Sequence, residues 1–149
     1  MADTIRKQIL DSLVAHLKTE TWVTSAGVGI NPGKTKYKKV EMPGMSVFAG
    51  QEQASTEGYG AQDCNVEVEL RYVGLLVNSL DSPFDIAEDI RGQIIKSAMT
   101  ATLGGLANSM EYAGGTVDYP TVDDETIQVS VLINIKYETL IQNPYSQGD

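Results

Sequence analysis

A chain of 149 residues is long enough for one hydrophobic core and short for two. Its composition, 42% hydrophobic with a single cysteine, gives no apolar run near the roughly 18 residues of a membrane-spanning helix, no charged-then-apolar start of a signal peptide and no intrachain disulfide or cysteine metal site. The net charge of -9 divides into seven Lys/Arg against three Asp/Glu over residues 1–39 and four against seventeen over residues 40–149, an acidic body that phosphate backbones repel and that argues against general DNA binding.

In chain order, Ile5, Ile9, Leu13 and Leu17, with Leu10 and Val14 beside them, recur at helical spacing and predict an amphipathic helix near residues 4–18, capped by Asp3 or Thr4. His16, the only histidine, falls near its end as a partly exposed helix residue. Thr21-Trp22-Val23-Thr24 reads as a short strand, and residues 25–42 as a flexible basic excursion holding Lys34, Lys36, Lys38 and Lys39. Within it Gly33-Lys34-Thr35 spells the end of a phosphate-binding loop. The motif, however, needs a glycine five residues before Gly33, where Val28 stands, and a helix afterwards, where Met42-Pro43 discourages one. The lysines therefore read as a mobile loop of one sign on a body of the other, an arrangement that can steer docking between copies.

Met45–Ala49 is expected as a short strand, with the polar stretch Gln51–Gln62, containing Gly58 and Gly60, turning the chain. Cys64, Val66, Val68, Leu70 and Tyr72 alternate with Asn65, Glu67, Glu69 and Arg71, the period-two signature of a strand with one buried and one wet face. Cys64 then lies in the core as an unreactive thiol. Asp81 or Ser82 as cap, Pro83 in the first turn and Asp85, Glu88 and Asp89 near the N-terminus start a second helix that runs to about Thr102 on Ile86, Ala87, Ile90, Ile94, Ile95, Ala98 and Met99. Gly104-Gly105 ends it. A strand around Ser109–Val117, interrupted by Gly114-Gly115, an acidic turn at Asp123-Asp124-Glu125, a strand over Ile127–Tyr137 and a polar tail about residues 142–149 complete the chain. This order predicts a single α+β domain, two helices on one face of a largely antiparallel four- to five-stranded sheet.

Chemistry-bearing constellations are sparse. Cys64 and His16 are the only Cys/His pairing and lack an activating motif. Asp118 with Asp123, Asp124 and Glu125 could offer oxygen ligands to calcium but matches no calcium-loop spacing. Glu67 and Glu69 share a strand face, where a solvated or interface role outweighs acid–base work. The polar faces carrying Glu67, Glu69 and Arg71, and Gln128, Ser130, Asn134 and Lys136, belong to strands longer than the typical five or six residues, so the Glu67, Glu69, Arg71 face is a candidate subunit interface.

Several segments together resemble the tail terminator proteins of long-tailed bacteriophages, also called minor tail or tail completion proteins: IRKQILDSLVAHLKT, EMPGMSVFAGQEQA, CNVEVELRYVG, DSPFDIAEDIRGQIIKSAM, LGGLANSMEYAG and DDETIQVSVLINIKYET, in that order. The resemblance implies a homo-oligomeric ring, commonly a hexamer, that stacks on the last ring of the tail tube, stops its polymerisation and presents a surface to a head-completion or neck protein. It implies a virion protein at the head-proximal end of the tail, assembled in the bacterial cytoplasm, with no catalytic residue, cofactor or membrane partner. It gives Lys34, Lys36, Lys38 and Lys39 a candidate role on a loop reaching a neighbouring subunit, the tube or the DNA channel. A neck or head–tail connector ring, and a small nucleotide-binding module or enzyme, remain the alternative readings.

Overall fold

The computed structural model of the chain describes residues 4–56, 61–75, 82–120 and 126–140. Thr4 caps helix α1, Ile5–Thr19, by accepting the Lys7 N–H at 3.1 Å, and Ile5, Ile9, Leu13, Val14 and Leu17 form its buried stripe. The chain does not leave the helical region for a strand afterwards. Glu20 alone is extended, ending α1 and starting a second helix, α2, over Thr21–Ala26. This corrects the expectation of a strand at Thr21–Thr24. The β-branched residues there resemble a strand, but burial decides otherwise: Val23 is buried, and Trp22 packs against the core with its Nε1 donating to Ser97 Oγ at 2.7 Å. Gly27, at φ +70°, closes α2 with its N–H on Thr24 O and the Val28 N–H on Val23 O, while Val23 and Val28 are both buried. That paired closure with an apolar contact across it is a stable way to end a helix, and it needs glycine at the left-handed position.

The stretch expected to be a flexible loop over 25–42 contains a strand, β1 at Gly29–Pro32, and a 3-10 turn at Lys39–Glu41. Ile30 is buried, so β1 is recruited by the core and by pairing in parallel with strand β2, Gly44–Thr56, Gly29 opposite Gly44 and Pro32 opposite Val47. The polar stretch after Ala49 is strand rather than turn as far as Thr56. Gly58, Gly60, the acidic turn at 123–125 and the tail from 142 lie outside the described residues. Strand β3 spans Ala61–Leu75, and helix α3 spans Pro83–Met99, with Ser82 Oγ accepting the Asp85 N–H at 3.2 Å; the helix stops short of Thr102. A 3-10 turn at Leu103–Gly105 leads into β4, Ala107–Asp118, and β5 covers Thr126–Leu140.

The five strands form one mixed sheet in the order β1-β2-β3-β5-β4, antiparallel except for the β1/β2 pair, and the fold is α+β as expected. β3 and β5 pair along their whole length, Ala61 opposite Leu140 to Leu75 opposite Thr126, without a register break. Val66, Val68 and Leu70 of β3 and Val129, Val131, Ile133 and Ile135 of β5 are fully buried on the helix side. Ile9, Leu13 and Leu17 of α1 and Ala87, Ile94 and Ala98 of α3 close over them. Each such large aliphatic side chain contributes about 1.5–3 kcal/mol by leaving water. α3 packs on β5 and β4, whereas α1 lies toward β1. Among the described residues no helix is long and apolar enough to cross a membrane.

Register shifts reset the faces of the sheet at three places, one of them at the start of β4, between Ala107 opposite Tyr137 and Ser109 opposite Lys136. In β2 the register passes from Ala49 opposite Val68 to Glu52 opposite Val66, so Gly50 and Gln51 share one partner position and Glu52 joins the helix side. Further along β4 a shift falls between Tyr112, opposite Ile133, and Gly114, opposite Leu132, placing Gly115 and Val117 on the helix side. A bulge adds one residue to one strand and reverses the in/out order beyond it.

Candidate functional site

The basic segment and the polar sheet face adjoin at β2. Tyr37 turns its hydroxyl to Ser46 Oγ at 2.7 Å, and Ser46 Oγ donates to the Lys34 carbonyl at 2.5 Å. Ser46 is fully buried, so the strand holds residues 34–37 against itself through a dry hydroxyl relay. Gly44 makes room for the Tyr37 ring, because a Cβ there would lie 2.3 Å from Tyr37 Cε1. Glu41 completes the clamp. It pairs with the Lys34 ammonium, and its other oxygen accepts the Lys38 N–H at 2.9 Å. The hydrogen bond from Lys34, then that from Lys38, hold the Glu41 carboxyl below its ordinary pKa against the opposing effect of burial.

The four candidate lysines therefore separate. Lys34 is turned inward, its ammonium on Glu41 and 5.2 Å from the centre of the Tyr37 ring. Lys36, Lys38 and Lys39 are exposed and carry no ion pair among the described residues. Beside them Val40 is 91% exposed, the most open large apolar side chain among the described residues. The Lys34 of the Gly-Lys-Thr stretch is occupied by a carboxylate, and the residues after it form extended chain and a 3-10 turn rather than a helix. That geometry lacks the helix N-terminus on which a phosphate-binding loop depends.

The polar face of the central strands is internally organised at one end and open at the other. Arg71 makes a two-pronged pair with Glu69, at 2.8 and 3.0 Å, while Ser130 Oγ of β5 donates to Glu69 at 3.0 Å and the Arg71 guanidinium lies 4.8 Å from the centre of the Phe48 ring. Glu69 and Arg71, predicted from sequence as interface residues, are thus engaged within the subunit. Glu67 is exposed beside a shallow depression of about 220 Å³ that Gln51, Gln53, Asn65 and Asn134 also line. Asn65 Oδ1, buried there, has no hydrogen-bond partner among the described residues.

On the helix side, the bulge in β2 brings Glu52 to the Tyr137 hydroxyl, which donates to it, and to Arg6 of α1 at 3.8 Å. Burial, and then the adjacent Glu52 carboxylate, push the Tyr137 phenol well above its ordinary pKa. Burial likewise raises the Cys64 thiol, next to Tyr137 at the same end of the sheet. At the same end of the sheet, on its polar side, a concavity of about 470 Å³ opens between Gln53, Asp63, Asn108 and Lys136. Sequence periodicity missed Glu52, because only the bulge at Gly50 turns it inward; a glycine inside a strand pattern was the available signal. His16 Nε2 lies 3.0 Å from Glu20 and 3.2 Å from Thr100 Oγ1, tying α1 to the end of α3, so the Cys64/His16 pairing does not come together. Among the described residues no group of three His, Cys, Asp or Glu side chains is placed to hold a metal ion. Asp118 is the described member of the acidic candidates and ends β4.

No family profile matches the chain, and no curated protein matches it. Among solved structures, one protein with no functional name superposes over 88% of this chain and 92% of its own, at 14% identity and a TM-score of 0.43. A likeness at that level carries no argument about function.

Proposed function

We propose that the protein is a structural virion component that assembles with copies of itself into a closed ring, a hexamer, which caps the tail tube of a long-tailed phage, ends its polymerisation and joins tail to head or neck. The observation that carries this reading is the order of six segments resembling tail terminators, laid on a sheet whose central strands are buried on the helix side and whose other side is polar. Glu67, Lys136, Ser109 and Glu111 are exposed on that side, and β4 forms an edge with one row of backbone groups unpaired within the sheet. Such surfaces suit contacts with neighbouring subunits and with a tube better than they suit a reaction cleft. In this reading the chain has no catalytic step and no cofactor.

The test is solution mass by light scattering over a range of concentration and salt, followed by mixing with purified tail tubes. A species near six times 16.1 kDa, roughly 97 kDa, that binds tubes and blocks their extension is the expected result. Binding to filled heads in preference to tubes would replace it with the connector reading. Binding to neither, with a thermal shift produced by ATP or GTP and magnesium, would replace it with a nucleotide-binding module.

A further inference from the structure

Val40 and the three outward lysines form a small exposed feature that is basic and apolar at once. A nearly naked valine sits beside Lys38 and Lys39, with Lys36 close in sequence, on a turn that Glu41, Tyr37 and Ser46 hold in place. Because the turn is already fixed, docking it costs little further ordering entropy. Its charge is opposite to that of the rest of the chain, where residues 40–149 carry seventeen acidic against four basic side chains. A surface of matching character exists on the same molecule. At the start of α3, Phe84 is 59% exposed, and Asp85 and Asp89 are exposed with no ion pair among the described residues. Glu88 adds a third exposed carboxylate, 3.5 Å from Arg91.

The two features stand at different ends of the fold. The turn adjoins β1 and β2 at one edge of the sheet, while α3 packs on β5 and β4 at the other. They therefore cannot satisfy each other within one subunit. We propose that the Val40 turn of one copy docks on the Phe84 end of α3 of the next, Lys36, Lys38 and Lys39 facing Asp85, Glu88 and Asp89 across a small apolar contact. Such a contact is head-to-tail, and repetition closes a ring when the rotation permits. This deepens the ring reading and rests on it. The occupant is a second copy rather than nucleic acid, since an acidic body would oppose phosphate around so small a basic feature.

The test uses charge reversal on the full chain. Lys36→Glu, Lys38→Glu and Lys39→Glu together should weaken self-association by about 100-fold or more, since like charges would now face each other. Far-UV circular dichroism should be unchanged because all three side chains are exposed. A second variant, Asp85→Lys, Glu88→Lys and Asp89→Lys, should be equally impaired. Mixing the two variants should restore assembly, because an alternating ring sets the glutamates of one on the lysines of the other and the native lysines on the native carboxylates. The combined six-substitution variant, with the charges exchanged, should assemble alone. If the triple-lysine variant assembles like the wild type, the proposal is overturned while the ring reading stands. The same holds if neither the mixture nor the exchanged variant recovers assembly. If assembly is intact and only retention on DNA is lost, the turn is a nucleic-acid contact instead. If the wild type is a monomer at its highest soluble concentration and low salt, both the ring and this contact fall.

Discussion

Tyr37 and Ser46, nine positions apart, share a 2.7 Å hydroxyl contact, and Ser46 donates its own proton to the Lys34 carbonyl. The pair converts a lysine-rich stretch into a shaped surface. Tyr37→Phe removes the hydroxyl's bond to Ser46 and a longer one from Asn31 Nδ2 at 3.5 Å, and should cost about 1 kcal/mol. Ser46→Ala, which also strands the Lys34 carbonyl, should cost about 1–3 kcal/mol. Urea unfolding midpoints at constant m-value measure both, and faster tryptic cleavage after Lys36 and Lys38 in each variant locates the effect.

Glu41 gives the turn a pH dependence. Its folded pKa lies below the unfolded value, so its contribution is present above the ordinary carboxylate range and is lost as pH falls through the lowered folded value. Hydrogen exchange at the Lys38 amide, corrected for intrinsic rates, should accelerate in that acid window in the wild type. Glu41→Gln should exchange faster at neutral pH and show a flatter profile; equal profiles would mean that the carboxylate does not hold the turn.

At the other end of the sheet the sign reverses. Tyr137 has a raised folded pKa, so its contribution is full below the ordinary tyrosine value near 10 and declines as pH rises beyond it. Tyr137→Phe should cost about 1.5–3 kcal/mol near neutral pH, the range for a hydrogen bond to a charged group, and should remove part of the alkaline loss of stability. Thermal unfolding across the alkaline range, through and above the ordinary tyrosine value, checks both.

Gly115 faces β5 so closely that a Cβ would lie 2.0 Å from the Ser130 carbonyl oxygen. Gly115→Ala must displace backbone, and we expect a loss of more than about 2 kcal/mol or failure to fold. Gly92 lies exposed within α3 with nothing within 4 Å of its Cβ position, so Gly92→Ala should instead stabilise by about 0.5–1 kcal/mol. Denaturant midpoints of opposite shift are the expected result.

Cys64 should stay silent to a thiol reagent in the native state, since it is 6% exposed and burial raises its pKa. Rapid native labelling with a chromogenic disulfide would contradict that placement; complete labelling in denaturant is the control.

Elements whose pattern is local and repeated were legible before any fold was known. The 3.6-residue recurrence of Ile5, Ile9, Leu13 and Leu17 and the strict alternation of β3 and β5 each bury one face under any arrangement of neighbours, which is why helices α1 and α3, the long strands and the α+β class could be read from the chain. Elements that depend on a distant partner could not. Thr21–Ala26 is helical because Val23 finds the core and Trp22 finds Ser97; Gly29–Pro32 is a strand because β2 offers it a parallel edge; and Glu52 faces inward because a bulge reverses the pleat. For the candidate site the lysines were visible as a cluster. Their division, with Lys34 bound inward and Lys36, Lys38 and Lys39 presented beside Val40, comes from contacts with Tyr37, Glu41 and Ser46 that no spacing rule encodes, because they depend on where the chain returns in space rather than on how far it has run.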